Sequence, residues 1–238
     1  MSSEAPSLVI AFVLDASSSM SEQTNQTISG VNEYVQNLKK DHEGKKVLYT
    51  LTKFDTSCQV LHAAIPIQDV PEFTSEAYAV SGMTALYDAV GETITELEKR
   101  IDADTPALVV ILTDGGENAS TKFNLSAIKE MITNKKENGW SFVFMGDGED
   151  AWTTGEALGT QTSINYNSSD MAGTMKCVSA GTRGYSESRC RGVVGAGAAA
   201  CFDEAYAESA GRGFDMNTTE EGEKEEGEKE EGHSVDSK

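Results

Sequence analysis

Asp15, Ser17 and Ser19 stand at alternate positions of one short segment, Asp15-Ala16-Ser17-Ser18-Ser19, and each carries an oxygen. Two distant segments add a hydroxyl and a second carboxylate: Thr84 within Gly82-Met83-Thr84-Ala85-Leu86, and Asp114 within Thr113-Asp114-Gly115-Gly116. Alternate side chains along an extended turn can converge on one point. Hard oxygen donors of this kind suit Mg²⁺, with Mn²⁺ or Ca²⁺ as alternatives, rather than a softer metal. Two carboxylates only balance a 2+ charge. A cation held this way stays electrophilic and accepts one more anionic oxygen, of the kind an Asp or Glu on a partner protein offers.

Such a set works only if the chain brings its parts together. The Asp15 and Asp114 segments each follow an apolar run, Leu8 to Leu14 and Leu108 to Leu112, which reads as a buried strand. Strands that end in ligand-bearing loops and lead into helices build sites at the carboxyl edge of open α/β sheets. The remaining segments fit that plan. Helices are predicted from near Glu22 to Lys40, from Thr84 to Arg100, from Ser126 to Lys136 and from Ala151 to Leu158. Strands are predicted at Val47 to Phe54, Gln59 to Ile65, Ala107 to Leu112, Trp140 to Met145 and Ser163 to Tyr166, with Gly146-Asp147-Gly148 as a break. The second and third strands are close enough for a hairpin, which puts one antiparallel strand in an otherwise parallel sheet. Asn167 to Asp170 offers caps for a last helix through about Ala180. The fold class is α/β: an open, doubly wound, mostly parallel sheet with helices on both faces.

With these elements in place, the constellation resembles the von Willebrand factor A family. Its metal-ion-dependent adhesion site is written DxSxS, then Thr, then Asp. The resemblance covers about residues 7 to 170, and Asp15, Ser17, Ser19, Thr84 and Asp114 fill all five positions. It implies a Rossmann-like fold and a metal site in which the serines and threonine touch the cation directly or nearly so, while the aspartates often act through water. It further implies a non-enzymatic protein-binding module whose affinity depends on the cation. The stretches Gly82 to Val90 and Thr113 to Ser120 look like bacterial and phage members. Intracellular members often work beside AAA-type ATPases, in chelatase-like complexes or in stress and phage-related systems, so the implied partner is such an ATPase or an assembly component.

The 238-residue chain has a formal net charge of −20, which argues against nucleic acid as a partner. No run is long enough to span a bilayer, so no membrane partner is expected. The start Met1-Ser2-Ser3-Glu4 lacks a positive n-region, and the prediction is a cytoplasmic protein. Cys58, Cys177, Cys190 and Cys201 form no CxxC pair and are expected to be buried free thiols. The domains are read as residues 1–180, the von Willebrand factor A domain; 181–215, a Gly/Ala/Ser-rich extension; and 216–238, an acidic disordered tail.

Weaker signals are read blandly. The G-x-G-x-x-A spacing from Gly195 to Ala200 lacks a preceding strand and is expected to be a small-residue helix surface. His42, His62 and His233 are expected at the surface or in loops, Glu117 to be solvated, and Trp140 and Trp152 to pack. Two other functions compete with the binding module. One is an assembly component whose metal merely staples loops. The other is a metal-assisted phosphohydrolase, for which Glu117 and Asp88 are the nearby acids that could act as base.

Overall fold

The computed structural model describes residues 7–147, 150–166, 170–193 and 196–210. Six strands form one sheet: β1 (Leu8–Asp15), β2 (Val47–Phe54), β3 (Cys58–Pro66), β4 (Ala107–Thr113), β5 (Ser141–Asp147) and β6 (Thr162–Tyr166). Their order is β3-β2-β1-β4-β5-β6, all parallel except the β2–β3 pair. The antiparallel strand therefore sits at the sheet edge, joined to β2 by the short Asp55-Thr56-Ser57 turn.

Every residue of β1 and β4 is buried, because helices cover both faces. Side chains alternate as the pleat demands. Leu8, Ile10, Phe12 and Leu14 of β1, with Leu108, Val110 and Leu112 of β4, point to one face. There they meet Val31, Tyr34, Val35 and Leu38 of α1 (Thr24–Asp41). Val9, Ala11, Val13, Val109 and Ile111 point to the other face. That layer is completed by α2 (Leu86–Glu98), α3 (Leu125–Glu137) and α4 (Asp150–Leu158) through Leu86, Val90, Ile94, Ile128, Ile132 and Leu158. Each large apolar side chain buried this way stabilises the fold by roughly 1.5–3 kcal/mol.

Several boundaries differ from the sequence expectation. β5 continues through Gly146 and Asp147 instead of breaking there. Gly146 pairs with Thr113 and Asp147 with Tyr166, so neighbouring strands carry it past the glycine. The first helix begins as a 3-10 turn over Ser18–Gln23. The last predicted helix, α5 (Met171–Cys190), starts with Asp170 accepting from Gly173 N at 2.9 Å and runs ten residues beyond Ala180. Tertiary packing carries it on. Tyr185 is buried in the core, and α6 (Ala196–Ala210) lies against α5.

Gly181 and Gly184 make that approach possible, because a Cβ at either would collide with Phe202 or Cys201. The residue 180 boundary thus falls inside a helix. Gly195 and residues 211–238, including the acidic tail and His233, lie outside the described residues, as does the side chain of Trp152. His42 is buried rather than exposed. Of the four cysteines Cys177 is buried, Cys58 and Cys201 are partly so, and Cys190 is exposed.

Candidate metal centre

Parallel register sets the frame of the site. Leu14 pairs with Leu112, so Asp15 ends β1 beside Thr113 at the end of β4. The Thr113 hydroxyl donates to Asp15 Oδ2 at 2.5 Å, and Ser17 N donates to Asp15 Oδ1 at 2.6 Å. Tyr78, buried under the turn, donates to the Asp15 carbonyl at 2.6 Å. Asp15 is therefore fixed on three sides.

The other donors gather around it. Ser19 Oγ donates to Asp114 Oδ1 at 2.5 Å, and Ser17 Oγ lies 3.0 Å from Ser19 Oγ. Because an ionised Asp114 can only accept, Ser19 gives it its proton and in turn accepts from Ser17. Gln23 Nε2 donates to the second Asp114 oxygen at 2.8 Å. Thr84 arrives on a loop pinned by Ser18 N to Gly82 O at 3.2 Å and Ser81 N to Ala16 O at 2.8 Å. Asn118 clamps Thr84 from both ends, accepting from Thr84 N at 2.8 Å and donating its own N–H to Thr84 O at 3.0 Å.

Gly115 shows how closely these oxygens converge. A Cβ placed there would lie 3.2 Å from Thr84 Oγ1, 3.5 Å from Ser19 Oγ and 4.0 Å from Asp15 Oδ2. The structure therefore brings all five sequence-predicted residues to one place at the carboxyl edge. The side chain that would fill the space between them is missing.

Electrostatics favour a cation there. Burial raises the Asp15 pKa above the usual carboxylate range; the Thr113 and Ser17 bonds oppose that rise and the Asp114 charge adds to it. Burial likewise raises Asp114, against its bonds to Ser19 and Gln23, with the Asp147 charge adding to the rise. Among the described residues, no Lys or Arg forms an ion pair with either aspartate. Gln23 Oε1 and the Tyr166 hydroxyl are buried nearby without hydrogen-bond partners among the described residues. Two repelling carboxylates with three hydroxyls fit a hard divalent cation. Among the described residues no cluster of three or more His, Cys, Asp or Glu side chains could hold a metal, so a soft-metal site has no counterpart here.

Glu117 corrects the sequence reading. It is neither solvated nor aimed at the site. Its carboxylate accepts from Ala119 N, Ser120 N, Ser120 Oγ and Tyr87 N at 2.7–2.9 Å. It thereby caps the first turn of α2, which starts at Leu86 rather than at Thr84. Asp88 is similarly engaged, accepting from the N–H groups of Thr121, Lys122 and Phe123, each at 2.9 Å.

Sequence reasoning missed Thr113, Gln23, Gly115 and Asn118, which orient the five. It also missed Asp147, which register places beside Asp114 because Thr113 pairs with Gly146. Asp114, Gly115, Asp147 and Thr154 share the wall of a small cavity of about 130 Å³. Two strands predicted to be adjacent and each followed by an aspartate were the available signal.

An open parallel sheet with an oxygen-donor cluster over its β1 and β4 ends defines a class of cation-site α/β domains. The sequence profile of the von Willebrand factor type A domain matches residues 10–179, and the chain belongs to that family. Domains of this family are generally metal-dependent protein-interaction modules. No curated protein matches the chain significantly.

Among solved structures it is similar to the PilB minor pilin from Streptococcus sanguinis, at 12% identity and a TM-score of 0.55, covering 76% of this chain and 62% of the pilin. It is also similar to proximal thread matrix protein 1 from the mussel byssus, whose adhesion-site motif holds zinc, at 20% identity and a TM-score of 0.45, covering 60% and 36%. The SpRpn10 VWA domain aligns at 16% identity and a TM-score of 0.48, covering 63% and 81%. The chain thus spans less than two thirds of the pilin and of the thread protein. At these identities the likeness shows the fold alone.

Proposed function

We propose that the chain is a binding module in which a divalent cation, Mg²⁺ above all, is held by Asp15, Ser17, Ser19, Thr84 and Asp114 and captures an Asp or Glu carboxylate of a partner protein. The observation that carries this reading is the convergence of Thr84, Ser19 and Asp15 oxygens on the open side of Gly115. The Ser17–Ser19–Asp114 string keeps hydroxyl protons turned toward Asp114, which leaves Ser19 lone pairs for a cation. When bound, the cation supplies a positive point of attachment. The chain's own residues orient it, and the rim beside Thr84 adds an apolar contact through Met83, which is 52% exposed.

A non-enzymatic role is supported by the engagement of Glu117 and Asp88, each committed to backbone N–H groups and so unavailable as a base. The whole protein's charge of −20 disfavours acidic surroundings on the partner, which therefore presents its carboxylate from a neutral or basic surface.

The test is a pull-down from the native host's lysate with wild type, Asp15→Ala and Thr84→Ala, each in Mg²⁺ and in chelator. A protein retained only by wild type in Mg²⁺ is expected, and its identity decides between an AAA-type ATPase and an assembly component. The same catch under every condition would overturn metal-bridged binding.

A further inference from the structure

The amino ends of the strands, at the pole opposite the aspartates, carry the reverse charge. β1 alone separates the two ends by about 23 Å at ~3.3 Å per residue. There the turn after α1, with Gly44 at φ +73°, presents Lys45 and Lys46 beside Ser7 and Leu8. The last turn of α5 brings Arg189 to the same place. Together they wall a cavity of about 490 Å³.

In a chain with 39 acidic and 19 basic residues, three cations and no acid among the described lining residues is the opposite of the surface average. That volume suits a small molecule rather than a lone ion.

The floor of this region is short of hydrogen-bond partners. Arg189 Nη1 is buried with no acceptor among the described residues, and Ser141 Oγ and the Tyr185 hydroxyl are buried without partners too. Tyr185 and Ser141 are each essentially inaccessible, and Tyr185 lies close enough to Arg189 to feel its charge. Buried polar atoms are nearly always satisfied, so orphans grouped at one cavity call for an occupant with acceptors.

Ser186, also on the wall, is already spoken for. His42 Nδ1 lies 3.0 Å from the Leu38 carbonyl and must donate to it, so His42 Nε2 accepts the Ser186 proton at 2.9 Å. The donors left to a ligand are the guanidinium fork and the two ammonium groups.

We infer that this cavity is a binding site for a phosphorylated small molecule, held by Arg189, Lys45 and Lys46 and independent of the cation site. A planar guanidinium takes two phosphate oxygens at once, and the lysines add point charge at the mouth. Pyrophosphate is a probe of that chemistry with no organic part.

Isothermal titration of the full chain with pyrophosphate is carried out in excess chelator, so that no metal at the opposite pole can capture phosphate. Wild type is expected to bind, with affinity falling as salt is raised. Arg189→Gln is expected to weaken binding at least tenfold and Lys45→Gln severalfold, while Asp114→Asn binds as wild type does. Circular dichroism confirms that each variant is folded, and Lys45→Gln, on an exposed turn, keeps the test open if Arg189→Gln is not. No binding by wild type, or equal binding by wild type and both cavity variants, overturns the inference. Loss of binding in Asp114→Asn would also overturn it, by placing the phosphate at the other pole.

Discussion

Ser19 Oγ and Asp114 Oδ1, 95 positions apart in sequence, are joined by a 2.5 Å hydrogen bond across the carboxyl edge of the sheet. The bond couples a turn after β1 to the end of β4, and it partly offsets the burial that raises the Asp114 pKa. A carboxylate whose folded pKa lies above its model value of 3.8 prefers its proton in the fold. Its charge therefore weakens the metal-free domain at neutral pH, and that loss disappears as pH falls through the folded pKa toward 3.8. Asp114→Asn is accordingly expected to raise the melting temperature in chelator by about 2 °C at pH 7 and to abolish the rise that Mg²⁺ gives wild type. Thermal scans with and without Mg²⁺ measure both. A variant that still gains stability from Mg²⁺ would remove Asp114 from the metal set.

Gly115 offers a test that leaves every oxygen donor in place. An added methyl would press on Thr84 Oγ1 at 3.2 Å and Ser19 Oγ at 3.5 Å, in the space where their lone pairs meet. Gly115→Ala is expected to fold normally yet lose at least about tenfold in Mg²⁺ affinity, roughly 1.4 kcal/mol. Titration calorimetry reads the affinity, and unchanged binding would mean that the cation sits elsewhere.

The strands and the five oxygen donors were legible in the sequence because their signals are local. Apolar runs such as Leu108 to Leu112 announce buried strands, and Asp15, Ser17 and Ser19 share one turn. What stayed hidden depends on pairing between distant segments. Asp147 looked like part of a break until register with β4 and β6 set it beside Asp114. Small-residue composition after Gly181 suggested an end to the domain. The glycines there instead let Phe202 of α6 reach the core through close helix contact. Burial of His42 likewise follows from Ser186 on α5, 144 positions away.

Glu117 was read as a free loop acid, and its four accepted hydrogen bonds make the opposite prediction. Glu117→Ala strands several half-buried donors at the start of α2 and is expected to destabilise the domain by about 1–3 kcal/mol. Urea unfolding gives the value. A variant as stable as wild type but unable to bind Mg²⁺ would make Glu117 a member of the site instead.

His42 sets a pH dependence of its own. Burial lowers its pKa below the model value of 6.5, and its ring is held neutral between Leu38 O and Ser186 Oγ. The unfolded chain binds the proton more readily, so this contribution is complete above pH 6.5 and is lost as pH falls toward the folded pKa. His62 is shifted in the same direction, so the comparison must be with a His42 variant. His42→Asn is expected to show a shallower decline in stability below pH 6.5 than wild type, measured by urea midpoints across that range. Parallel declines would mean that the ring protonates equally well in the fold.

Phe202 determines whether the segment after residue 180 belongs to the domain energetically. It is fully buried in the same cluster as Phe12 and Tyr34 of the central layer, with Gly181 leaving room for its ring. Emptying that space costs a large aromatic its contacts on a face that the strands alone cannot cover. Phe202→Ala is therefore expected to lower unfolding stability by about 3–5 kcal/mol. Gly181→Val is expected to act in the same direction, because its side chain would enter the space the ring occupies. If Phe202→Ala instead melts within a degree of wild type, α6 is an appendage whose contacts with α5 contribute little, and a chain ending near residue 190 would keep the cation site intact.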